Sequence, residues 1–234
     1  MLKNAPLYVY LLACFLSVVA MLLGNEFLLI ICKPIIIPAL IARYLAIEEK
    51  QNIIYVSLIF VIYFCTDALT LFNFEFIKFL NMGLDLCPYL LLLFLVIKET
   101  KRIGFYQKAF SFSLLGTIFL MLLTYLLLNG LAFEDMKYSA AIVVYGTVLT
   151  SLISICTYNY LVINNLCFNN ILIAIVFSAM ADIVYVVMIK MNCTIVFECL
   201  KFIFRVISYF FIIEYFINVR PYFFREIESN NIIR

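Results

Sequence analysis

The chain has 234 residues, 67% of them hydrophobic and 13% charged, with a net charge of +2 and a mean hydropathy of +1.15. No soluble fold could hide that much apolar surface, which places the protein in the membrane class. The small, evenly spread charge excludes nucleic acid as a partner, and the absence of histidine removes His-ligated zinc, Ser-His triads and imidazole bases.

The eight cysteines form no CxxC or other metal-ligand spacing, so neither a metal nor a cofactor is expected. Cys14, Cys32, Cys65, Cys87 and Cys156 lie in apolar runs and read as small buried hydrophobes. Cys193 and Cys199 flank one short connection, where they could pair on an oxidising side.

Hydrophobic runs long enough to span a bilayer, about 20 residues each, fall at 7–23, 26–46, 53–72, 78–97, 109–128, 138–161, 170–189 and 198–219. The fold expected is all-α, a single polytopic bundle of eight transmembrane helices over residues 1–234. The first run has no basic n-region or A-x-A site, so it reads as a retained helix. With Lys33 and Arg205 set aside as lying inside helices two and eight, ten Lys and Arg residues fall on the side of the N-terminus and four on the other. By the positive-inside rule both termini are cytoplasmic. The basic segments 98–108 and 220–234 then read as topology signals in contact with anionic lipid.

That topology gives each charged residue a depth. Lys33 in helix two, Asp67 in helix three, Asp85 in helix four, Asp182 in helix seven and Arg205 in helix eight all fall roughly 10 Å below the outer surface. Glu214 alone is deeper. A charge at bilayer depth is costly and persists by facing a partner or a wet cavity, so Asp182 above all is a site candidate. Helical spacing places Tyr63 and Thr70 on the face of Asp67. It likewise places Ser178 and Tyr185 with Asp182, Ser208 and Tyr209 with Arg205, and Asn81 and Tyr89 with Asp85. Helix six carries a stripe of Thr147, Ser151, Ser154 and Tyr158, and helix five carries Gly116 and Thr117; such residues let helices approach closely.

The order of these features resembles the YhhN family, small eight-helix membrane proteins that include the lysoplasmalogenases. The likeness rests on Lys33-Pro34, on Thr66-Asp67-Ala68-Leu69, on the stretch from Phe177 through Ser178 to Asp182, and on Ser208-Tyr209. Where family members commonly have a His in helix four this chain has Asp85, Pro88 and Tyr89, and Glu214 stands where a Gln usually follows the final Tyr. The chain thus looks like a diverged member.

The resemblance implies hydrolysis of the vinyl ether bond of a lysophospholipid substrate, a lysoplasmalogen, within a multi-pass protein of the bacterial inner membrane. Asp67 and Asp182 are then the catalytic pair, one a general acid and the other a general base. Lys33, Tyr63, Asp85, Tyr185, Arg205 and Tyr209 would bind the substrate or align water. Two other readings stand beside this one: a proton-coupled transporter, because carboxylates at such depth also build relays, and a neutral polar core that only fixes helix packing.

Overall fold

The computed structural model describes residues 4–46, 53–69, 75–131, 136–191 and 195–232. Eight α-helices and no strand occur among them. They are α1 (Ala5–Leu22), α2 (Glu26–Leu45), α3 (Ile53–Leu69), α4 (Glu75–Ile103), α5 (Gln107–Leu131), α6 (Met136–Ile163), α7 (Leu166–Met191) and α8 (Ile195–Ile232). Five of them, α1, α2, α5, α6 and α7, are long and apolar enough to cross a membrane. Helix α3 is a shorter apolar helix of 17 residues, and α4 and α8 carry Asp85, Arg205 and Glu214 within their apolar stretches.

Two helices outrun the hydrophobic segments that announce them. Helix α4 continues to Ile103, which puts Glu99 and Thr100 on the helix, and α8 continues through 220–232, where the sequence reads as a basic tail. Short connections use residues that tolerate left-handed backbone. Gly24 (φ +63°) ends α1, and the Asn25 side chain then accepts from Leu28 N at 3.1 Å to cap α2. Gly104 (φ +84°) turns the chain between α4 and α5.

Neighbouring helices close into a ring in the order α1, α2, α3, α4, α6, α7, α8 and back to α1, while α5 stands outside it and packs mainly on α6. Lipid tails are as apolar as the core, so helix association rests on close packing and interhelical hydrogen bonds. Between α5 and α6 both are visible. A Cβ on Gly146 would meet Thr124 Cγ2 at 2.8 Å, and Ser154 Oγ pairs with Ser113 Oγ at 2.8 Å and accepts from Thr117 Oγ1 at 2.6 Å. The stripe on α6 therefore divides. Ser154 works at this interface, whereas Thr147 and Ser151 bond back to carbonyls of their own helix. Gly116 has open space where a Cβ would be, so it is Gly146 that allows the close approach.

Inside the ring lies one hydrophobic core, to which every ring helix contributes. Cys32, Cys156 and Cys167 are buried, but Cys65 and Cys87 face outward, which corrects the expectation of buried cysteines at those two positions. Cys193, the partner expected for Cys199, lies outside the described residues, as does Thr70.

Candidate functional site

At one end of the ring, side chains from α3, α4, α6, α7 and α8 converge on Arg205. It is buried, at 6% exposure. Its Nη2 pairs with Asp85 Oδ1, its Nη1 lies 3.6 Å from Asp182 Oδ1, and its Nε donates to Tyr209 Oη at 2.9 Å. Tyr209 in turn donates to Asp67 Oδ2 at 3.1 Å. One guanidinium thus ties three carboxylates together, two directly and the third through a phenol. Its planar fork of five donors makes this possible where a lysine would fail. The faces of Tyr63 and Tyr209 line it, with ring centroids 5.4 and 5.9 Å from Cζ.

Asp182 is held from its other side. Tyr89 and Tyr145 donate to its Oδ2 at 2.7 and 2.9 Å, and the two rings meet edge to face at 5.5 Å. Ser178, one helical turn before Asp182, lies 2.5 Å from the Tyr89 hydroxyl. Tyr89 follows Pro88, whose ring removes a backbone donor from α4. Local sequence thus delivers Ser178 and Asp182 to one face of α7, and the bundle brings two phenols across to meet them.

Lys33 and Lys201 complete the balance. Lys33 is within electrostatic reach of Asp67, Arg205 and Glu198, and Lys201 within reach of Arg205, Asp85 and Asp67. The Lys201 ammonium lies 4.0 Å over the Tyr185 ring. Three cations therefore face three aspartates, with Glu198 a fourth carboxylate within reach of Lys33. The Tyr63 hydroxyl lies within reach of Ser178, whereas the buried Ser208 hydroxyl, one turn from Arg205 on α8, has no hydrogen-bond partner. Such groups are rare in folded proteins, and a bound water or a ligand's polar atom is what commonly satisfies them.

The structure brings together Lys33, Asp67, Asp85, Asp182 and Arg205, with Tyr63 and Tyr209 against the guanidinium. The arrangement differs from a simple Asp67–Asp182 pair. Arg205 joins Asp182 to Asp85, and Asp67 reaches the same guanidinium through Tyr209. Tyr185, which shares a face with Asp182 by spacing, has its ring under Lys201. Sequence reasoning missed Tyr145, which has no charge on its own helix near it to betray a polar face. It also missed Lys201, which it counted only as a topology charge of the outer side, although the side chain reaches the cluster from α8.

A second polar layer lies toward the other end. Arg43 pairs with Glu214, its guanidinium 5.5 Å from the centroid of Phe210. Tyr215 donates to Glu99 Oε2 at 2.5 Å, and Thr100 donates to Asn159 Oδ1 at 3.0 Å. Nine residues of helix separate Arg205 from Glu214, roughly 14 Å of rise. Buried apolar side chains fill the interval, among them Leu92, Val96, Leu152, Ile175 and Ile213. Arg43, by sequence one of the charges that set topology, is thus an ion-pair partner in the last turn of α2.

Among the described residues, no group of three or more His, Cys, Asp or Glu is placed to hold a metal ion. Compared with family models, with curated proteins and with solved structures, the chain matches none.

Proposed function

We propose that this chain is a YhhN-type membrane hydrolase that cleaves the vinyl ether bond of a lysoplasmalogen-like lipid. All eight helices cross the bacterial inner membrane, with both termini cytoplasmic and the Arg205 cluster in the outer half. The observation that carries the reading is the convergence on one guanidinium of three carboxylates, contributed by α3, α4 and α7, beside the unpartnered Ser208 hydroxyl. Buried ion pairs alone are weak evidence of function. The unpartnered Ser208 hydroxyl adds a polar atom left over for a ligand.

The chemistry needs two proton transfers to reach the hemiacetal and a third to release its products. A carboxylic acid protonates the enol ether carbon, leaving an oxocarbenium-like centre at the carbon bonded to oxygen. Water adds there and gives its proton to a carboxylate, which restores the acid-base pair. As the hemiacetal C–O bond breaks, its hydroxyl proton passes to the leaving glycerol oxygen, giving a fatty aldehyde and the glycerophospho-alcohol, so that one water is consumed and no proton is lost. Asp182 and Asp67 take these two roles. Lys33 and Lys201 hold the substrate phosphate, and Tyr63 and Ser208 bind water or the ether oxygen.

Purified protein incubated with lysoplasmalogen should release fatty aldehyde, and Asp182→Asn should abolish that release while leaving the folded yield intact. Undiminished release from Asp182→Asn would remove the assignment. Proton-coupled transport is the second reading, favoured by the inner layer of Arg43, Glu214 and Glu99, which supplies stations nearer the opposite face. Against it stands the apolar interval between the two layers. Substrate uptake into proteoliposomes that collapses with the proton gradient, without aldehyde release, would favour transport over hydrolysis.

A further inference from the structure

A cavity of about 420 Å³ opens between α4, α5 and α6, at the end of the bundle opposite the Arg205 cluster. That volume lies within the range of small-molecule sites, roughly 300–1,000 Å³. Ile97, Phe105, Phe110 and Ile155 give it apolar walls. The hydroxyls that line it are engaged within the protein. Tyr158 donates to Gly104 O at 2.8 Å, Thr100 donates to Asn159, and Ser113 and Ser154 bond to each other. With those groups occupied, the wall offers an occupant little but hydrocarbon.

The rim is different. Lys101 lines the cavity and is exposed, and Lys98 and Lys108, also exposed, lie within two turns of it along the chain. Helix α5, which forms one wall, turns most of its surface outward, with Leu115 and Phe119 more than 60% exposed. An occupant could therefore enter sideways from the bilayer. It would bring an apolar chain to the cavity and an anion to the lysines.

We propose that this cavity is a binding site for an anionic membrane lipid, which lays one acyl chain between α4, α5 and α6 and sets its phosphate against Lys101. The site is separate from the Arg205 cluster and does not depend on the hydrolase reading. It differs from ordinary annular contact in having a defined pocket and one principal cation at its mouth.

The chain contains no tryptophan, so Phe110→Trp provides a single fluorophore on the cavity wall. Reconstituted into bilayers containing brominated phosphatidylglycerol or brominated phosphatidylcholine, this variant should be quenched with about fivefold higher apparent affinity by the anionic lipid, the preference one surface lysine confers. Adding Lys101→Gln should bring the ratio close to one. Phe119→Trp, on the outward face of α5, should show no preference and reports annular lipid. Equal quenching of Phe110→Trp by both lipids, or a preference that survives Lys101→Gln, would overturn the site. Should Phe110→Trp fail to fold, Phe105→Trp reads the same cavity with the same outcomes.

Discussion

Arg205→Met is the perturbation that tests the cluster most directly. The guanidinium is buried and makes contacts to Asp85, Asp182 and Tyr209, while the two carboxylates have side chains only 18% and 13% exposed. Deleting the cation takes the nearest counter-charge from both, leaving Asp85 with Lys201 at longer range and Asp182 with the Tyr89 and Tyr145 hydroxyls. Removing one partner of a buried ion pair costs about 3–5 kcal/mol, and here two anions lose their nearest counter-charge at once, so the upper part of that range is expected. Asp85→Asn should cost less, about 1.5–3 kcal/mol, because Arg205 keeps Asp182 and Tyr209 and loses only one charge-assisted bond. In the double variant no guanidinium remains for Asp85 to pair with. Its loss should therefore fall short of the sum of the single losses by about 1–3 kcal/mol. Reversible unfolding in mixed micelles by titration with sodium dodecyl sulfate, followed by circular dichroism, measures all three. Arg205→Met within about 0.5 kcal/mol of the parent, or strict additivity in the double variant, would mean that water already screens these charges. The buried network would then be refuted as an energetic unit.

Further outcomes can be measured the same way. Tyr145→Phe removes one of two phenol donors to Asp182 and should cost about 1.5–3 kcal/mol; Tyr89→Phe should cost more, because its hydroxyl also engages Ser178. Gly146→Ala drives a methyl to 2.8 Å from Thr124 Cγ2 and should destabilise by about 1–3 kcal/mol. Adding Thr124→Ser, which deletes that methyl and keeps the hydroxyl, should restore most of the loss. Glu214→Gln leaves the Arg43 guanidinium without its anion, at a cost of about 1.5–3 kcal/mol. Combined with Arg205→Met, its effect should be additive to within about 0.5 kcal/mol, since roughly 14 Å of helix separates the two layers.

Much of the fold was legible because hydropathy reports the cost of placing a residue against lipid. That cost marks where helices run, and it singles out Lys33, Asp67, Asp85, Asp182 and Arg205 as residues that must face inward. The i+4 spacing from Ser178 to Asp182 and from Arg205 to Tyr209 reads a shared helical face, and contacts within α8 and across to α7 use those faces. Helix ends were less legible. Glu99 looked like a loop residue because charge at a segment boundary lowers hydropathy whether or not the helix continues, and Arg43 read only as a topology charge near the end of its helix. Their partners, Tyr215 and Glu214, come from the far end of the chain.

What composition and periodicity determined by themselves is therefore the class of the protein, its helical segments and the set of charges that could not be left facing hydrocarbon. Tertiary structure alone decided which charges meet: that Arg205 grips Asp85 and Asp182 and reaches Asp67 only through Tyr209, that Tyr145 and Lys201 join them, and that α5 stands outside the ring. The reason is geometric. Hydropathy and spacing specify how deep a side chain lies and which way it points on its own helix, whereas a partner is chosen by which helix stands next to which, and that order is set by interlocking surfaces contributed from the whole length of the chain.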